Sequence, residues 1–157
     1  MRRKDRQIED PAEIMSILRK ADVCRIAMAD DNVPYIVAMN FGLGKNGMQS
    51  LYFHCATEGK KIDILKKNNL VCFQTDIERE FFLHDVACGC SMQYRSVVGM
   101  GRMHFVTDMA EKIEALQAIM THYTKTSGHV FKEELLQRTL VIRLDIEQLS
   151  GKARVKP

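Results

Sequence analysis

The sequence predicts a mainly β fold, an antiparallel barrel, closed or partly open, of about six strands with flanking helices. Three observations predict it. Between Val23 and Cys55, strand-like apolar runs succeed one another across short turns, without the long crossover a parallel sheet requires. Helical periodicity is confined to isolated segments and does not alternate with strands as in an α/β protein. Finally, an antiparallel sheet of this many strands leaves two reactive edges unless it closes on itself.

Asp10-Pro11-Ala12-Glu13 reads as a helix start, with Asp10 as N-cap, proline at the first helical position and Glu13 completing a capping box. Ile14, Ile17 and Leu18 then line one face up to about Lys20. Val23 to Ala29 is a strand, Asp30-Asp31-Asn32 a tight turn, and Val33 to Leu43 one long second strand. Gly44-Lys45-Asn46-Gly47 turns the chain into Met48 to Cys55, and Lys60 to Lys67 forms a short helix with Ile62 and Leu65 on its apolar edge. Leu70 to Ile77 resumes as a strand, and residues 78 to 93 have no clear period. Tyr94 to Val106 is a long strand in which Gly99 and Gly101 mark a bulge, a bend or a close backbone approach. Asp108, with Glu111 three residues on, starts a helix whose stripe is Ile113, Leu116, Ile119, Met120 and Tyr123. A short helix at Lys132 to Gln137 and a last strand from Thr139 to Ile146 complete the pattern.

At 157 residues the chain suits a single domain, residues 1–157, with residues 1–9 as a tail. Lys+Arg of 23 against Asp+Glu of 20 leaves a net charge of +3 spread along the chain, which excludes a nucleic-acid footprint. No apolar stretch approaches the length of a membrane span, so a cytoplasmic protein without a membrane partner is expected. Five cysteines, an odd number, three of them in apolar strands, argue against a disulfide framework. His84, Cys88 and Cys90 are three potential metal ligands in one loop, but no second Cys/His pair completes a tetrahedral site, and no metal is expected.

The chemistry concentrates in residues 51–61, Leu-Tyr-Phe-His-Cys-Ala-Thr-Glu-Gly-Lys-Lys. An aromatic strand enters a polar turn, Gly59 allows close backbone approach, and Lys60 and Lys61 open a helix whose first N–H groups lack intrahelical partners. Dipole and Coulomb attraction together suit a phosphate. The glycine pair at Gly99 and Gly101 is no dinucleotide fingerprint, since strand continues after it and the third glycine is missing.

Three motifs in order carry a resemblance: Phe53-His54-Cys55-Ala56-x-x-Gly59-Lys60-Lys61; then Tyr94-Arg95-Ser96-Val97-x-Gly99-x-Gly101 with Glu111-Lys112; and Leu149-Ser150-Gly151-Lys152-Ala153. Together they resemble the Nim-type, 5-nitroimidazole reductase branch of the pyridoxamine 5'-phosphate oxidase-like flavoproteins, over about Asp10 to Val155. The resemblance implies a six-stranded antiparallel split β-barrel that binds FMN between the subunits of a homodimer. It also implies that Lys60 and Lys61 hold the FMN phosphate beside Gly59, and that His54 and Cys55 stand at the strand end next to the flavin. Ile36, Val37, Ala38, Met39 and Asn40 would lie along the isoalloxazine ring, and Ser96 near the cofactor.

The vitamin oxidases carry an Arg-x-His near the C-terminus. This chain ends Gly151-Lys152-Ala153-Arg154-Val155-Lys156-Pro157, which favours a reductase over oxidation of pyridoxamine phosphate. The expected function is therefore reduction of nitroaromatic or other small electrophiles, with His54 either donating or relaying the catalytic proton or serving only as a hydrogen-bond partner of the cofactor. The alternatives are a non-catalytic FMN- or haem-binding module, a pyridoxamine 5'-phosphate oxidase-like oxidase, and a flavin-free interaction protein.

Overall fold

The structure, a computed structural model, describes residues 3–155. Its strands are β1 (Gln7–Ile8), β2 (Cys24–Asp30), β3 (Val33–Met39), β4 (Phe41–Gly44), β5 (Gly47–Cys55), β6 (Leu70–Phe82), β7 (Ser91–Phe105) and β8 (Leu140–Arg154). The helices are α1 (Pro11–Lys20), α2 (Lys60–Lys67), α3 (Met109–Thr124) and α4 (Glu133–Arg138). All strand pairings are antiparallel, in the order β3-β2-β6-β7-β8-β5-β4, with β1 added alongside β8.

That order explains how the barrel closes. β3 and β4 stand at opposite ends of the sheet, yet only Asn40 separates them in the chain. The run from Val33 to Leu43, expected as one strand, is therefore two. Its first part pairs with β2, Met39 opposite Cys24, and its second with β5, Phe41 opposite Phe53. Packing forces the break. Phe41 N–H donates to Tyr123 Oη at 3.1 Å, and a Cβ on Gly42 would lie 2.4 Å from the Ile119 nitrogen. β4 is thus pressed against α3 while β3 stays with β2.

Other boundaries also move outward from the sequence reading. The stretch read as a tail enters the sheet at Gln7 and Ile8, opposite Lys152 and Gly151, and Ile8 is buried. Half of the aperiodic segment 78–93 belongs to an extended two-stranded arm, in which Glu80, Phe81 and Phe82 face Gln93, Met92 and Ser91. A register shift after Ile77, with Glu78 at φ 54°, marks where the arm begins. β8 runs to Arg154 instead of stopping at Ile146 because its second half pairs with β7, Leu149 opposite Gly99 and Ala153 opposite Arg95. The expected count of six strands becomes eight through these changes, with the antiparallel barrel unaltered.

The turns and glycines behave as their chemistry requires. Asp31 and Asn32 both take positive φ, 47° and 66°, which gives the two-residue hairpin a twist matching its strands. Gly99 lies beneath the Phe73 ring, with Cε1 2.4 Å from where a Cβ would stand, and Gly101 sits at a register shift against the Asp145 carbonyl.

The barrel interior is the main core, where Phe41, Phe53, Phe73, Leu51, Ile142 and Leu144 are fully buried. α1 contributes Ile14, Ile17 and Leu18 to it, as its period predicts, and α2 contributes Ile62, Ile64 and Leu65. A second cluster lies outside the barrel wall, where Ala115, Leu116 and Ile119 of α3 cover Tyr52 and Val141. The buried stripe of α3 is rotated from the expected one. His122 is buried, while Ile113 and Met120 remain partly exposed.

Candidate functional site

Asp10 and Asp108 cap α1 and α3 through their side chains, accepting from Ala12 N–H and Glu111 N–H at 2.8 Å each. The start of α2 is different. Gly59 at φ 127° precedes it, and no side chain caps it. Any residue other than glycine would be strained at that φ. A Cβ there would meet nothing within 4 Å, so backbone conformation and not crowding demands glycine. Ile62 and Asp63 N–H groups bond the Gly59 carbonyl, and the earlier donors of the first turn remain for another acceptor.

Beside this helix start is a cleft of about 440 Å³ at the seam where β3 ends and β4 begins. Ala38, Met39 and Asn40 form one wall; His54, Cys55 and Ala56, at the end of β5, form a second; Lys61, Arg138 and Thr139 complete it. Sheet pairing positions the second wall, since His54 and Cys55 stand opposite Val141 and Leu140 of β8. The His54 side chain is exposed, whereas Cys55 is half-buried. Burial raises the Cys55 thiol above its ordinary pKa, with the Lys61 charge opposing, so the sulfur is held as a neutral thiol.

Six residues expected at the site are thus brought together: Ala38, Met39, Asn40, His54, Cys55 and Lys61. Gly59 stands just outside, as the N-cap of α2. Four others go elsewhere. Val37 packs against the barrel core, and Ile36, 64% exposed, faces outward on the sheet. Lys60 does not join Lys61; its ammonium lies 4.8 Å from the centre of the Tyr35 ring, a cation–π contact. Ser96 is on β7, where its hydroxyl donates to the Lys152 carbonyl at 3.4 Å, between Asp76 and Lys152 in the sheet. Arg138 and Thr139 were not legible in the sequence. They stand at the end of a short helix 77 residues beyond Lys61, and only the pairing of β8 with β5 delivers them to the cleft.

The loop carrying His84, Cys88 and Cys90 is organised by its own backbone. His84 Nδ1 accepts from Val86 N–H at 3.2 Å, its ring packs on Gly89, and Cys90 Sγ bonds the His84 main chain. Among the described residues no three His, Cys, Asp or Glu side chains are grouped to hold a metal ion. Nor, among them, is any helix long and apolar enough to cross a membrane.

A barrel split at one seam, with an uncapped helix start and a cationic cleft beside the split, defines a class, the split-barrel proteins. The chain belongs to the pyridoxamine 5'-phosphate oxidase family, which its sequence matches over residues 10–153. No curated protein matches it significantly. Among solved structures, a candidate 5-nitroimidazole antibiotic resistance protein from Bacteroides thetaiotaomicron is 34% identical, covering 94% of this chain and 86% of that one at a TM-score of 0.82. This accords with the branch that the three motifs resemble. An FAD- and haem-binding protein from Mycobacterium smegmatis superposes at a TM-score of 0.83 with 17% identity, covering 96% of this chain and 74% of that one. An FAD-binding protein from Mesorhizobium loti gives 0.70 with 24% identity, over 96% and 98%. At those two identities the likeness is one of fold.

Proposed function

We propose that this protein is a flavin-dependent oxidoreductase that binds FMN in the seam cleft, works as a homodimer, and reduces nitroaromatic or other small electrophilic compounds. One observation carries the reading. The uncapped start of α2, Lys61 and Arg138 converge on a cleft that also offers the backbone of Ala38 to Asn40 and the His54 imidazole. Cations and free N–H groups suit a phosphate, and backbone donors and acceptors suit the pyrimidine edge of a flavin. The candidate nitroimidazole resistance protein at 34% identity supports the reductase reading.

Bound FMN, once reduced by an external two-electron donor such as a nicotinamide cofactor, would supply the hydride or electrons to the substrate. In this reading Lys61 and Arg138 would hold its phosphate, Met39 and the half-buried Cys55 would exclude water from the ring, and exposed His54 would deliver a proton to the substrate as it is reduced. In this reading the second subunit would close the cleft from outside.

The absorption spectrum of the purified protein is the first test. Oxidised-flavin bands support the proposal, a Soret band would point to a haem module, and a featureless visible spectrum would remove the cofactor. Two substitutions then sort the roles. Lys61→Ala should weaken FMN by about 1.5–3 kcal/mol, the worth of a charge-assisted bond, or roughly 10- to 150-fold. His54→Ala should leave FMN affinity nearly unchanged and lower nitroaromatic turnover by about 10²-fold, as loss of a positioned acid does. A His54→Ala protein that loses FMN but retains its turnover at saturating FMN would make the imidazole an anchor and not a proton donor.

A further inference from the structure

A second cleft, of about 610 Å³, lies between the end of α1, β4 and the outer side of α3, and it shares no lining residue with the seam cleft. Leu43 and Ala118 give it apolar wall, and Arg19, Lys45 and Lys125 bring three cations against one carboxylate, Glu114. Lys45 is paired with Glu114 at 2.6 Å. Among the described residues the Lys125 ammonium bonds to neutral acceptors, the carbonyls of His122 and Arg19. Arg19 has no acidic side chain within ion-pair distance among the described residues. The cleft's side chains therefore sum to a net positive charge next to apolar surface, with Lys125 set against the C-terminal carbonyls of α3 and α1 and Arg19 facing no acid.

Its walls are fastened to one another. His122 Nε2 bonds the Ala21 carbonyl at 2.7 Å, and Tyr123 Oη donates to the Asp22 carbonyl at 2.8 Å while accepting from Phe41 N–H. These bonds tie α3 to the end of α1 and to the first residue of β4. Burial keeps the His122 imidazole neutral, so it serves as a strut and adds no charge. A cleft held open in this way loses little entropy on filling, which favours a ligand over a fortuitous gap.

We propose that this cleft is a second ligand site, selective for a small amphipathic monoanion, an apolar ring or chain body bearing one carboxylate-like head group. The body lies against Leu43 and Ala118, and the head group meets Arg19 and Lys125. The site is independent of flavin binding.

Equilibrium dialysis of the purified, full-length protein with 2-naphthoate and with 2-naphthalenemethanol, which share an apolar body and differ in charge, tests this. The acid should bind at one site per chain and at least about tenfold tighter than the alcohol, the scale of one charge-assisted contact. Arg19→Gln should bring the acid close to the affinity of the alcohol. Glu114→Gln, which removes the competing carboxylate and releases Lys45, should tighten the acid several-fold, a gain that misfolding cannot imitate. Equal affinities for acid and alcohol, or acid binding unmoved by both substitutions, would overturn the proposal. So would displacement of the acid by FMN, which would place it in the seam cleft.

Discussion

The barrel has two outer faces of different fate. On β4, β5 and β8 the wall is covered by α3, so closely that Gly42 has no room for a side chain and Tyr52 and Val141 are buried beneath the helix. On β3, β2, β6 and β7 the outward row Ile36, Ala27, Cys72 and Met100 runs across four paired strands, with Val98 in the next row, yet Ile36, Val98 and Met100 are 64%, 41% and 38% exposed. Both faces are apolar at their centres, and only one has a helix of its own. An exposed apolar row of this kind is the surface that the second subunit of the proposed homodimer would cover.

Charging the open face should have the largest effect. Val98→Lys with Met100→Lys should cost association on the order of 3 kcal/mol or more, since two apolar side chains worth about 1.5–3 kcal/mol each are lost from an interface. Light scattering should then show monomers, with the fold intact by circular dichroism. A wild-type protein that is monomeric at micromolar concentration would refute the assignment.

Next in size is the covered face. Gly42→Ala puts a Cβ against main-chain atoms of Ala118 and Ile119, which cannot swing aside. Overpacking of this kind costs about 1–3 kcal/mol, and thermal unfolding should shift down by several degrees. An unchanged midpoint would mean that α3 packs more loosely than its contacts indicate.

A smaller effect, about 0.5–1 kcal/mol, is expected from Lys60→Ala, which removes only the contact with Tyr35. FMN affinity should hardly move, in contrast to Lys61→Ala.

The last test is a pH dependence. Desolvation lowers the His122 pKa below its ordinary 6.5, so the unfolded chain binds the proton that the folded one resists. Ala21 and Asp22 on one side and Lys125 on the other are the groups that face it. Its contribution is complete above about pH 6.5 and is lost as pH falls below that value. His122→Gln should flatten this part of the stability profile, and an identical slope in both proteins would exclude His122 as its source.

Much of the molecule is set by local chemistry. Asp10 and Asp108 as caps, the Asp31-Asn32 turn, the α1 face, the glycine-marked bend in β7 and the glycine-led start of α2 were legible because each depends on neighbours within a few residues. The family and its antiparallel barrel were legible from motifs whose order matches the order of the elements. Other features depend on partners far along the chain. Asn40 breaks a continuous β pattern because Tyr123 and Ile119, from α3, pin Phe41 and Gly42 against the helix. His122 turns inward because Ala21 offers it a carbonyl, and Arg138 reaches the cleft because β8 pairs with β5. Lys60 and Lys61 are adjacent and chemically identical in the sequence, and only the position of Tyr35 on β3 sends one to a ring and leaves the other at the cleft. Periodicity and capping are short-range and written into the chain, whereas closure of a barrel is a long-range event that chooses among local options and so decides which residues meet.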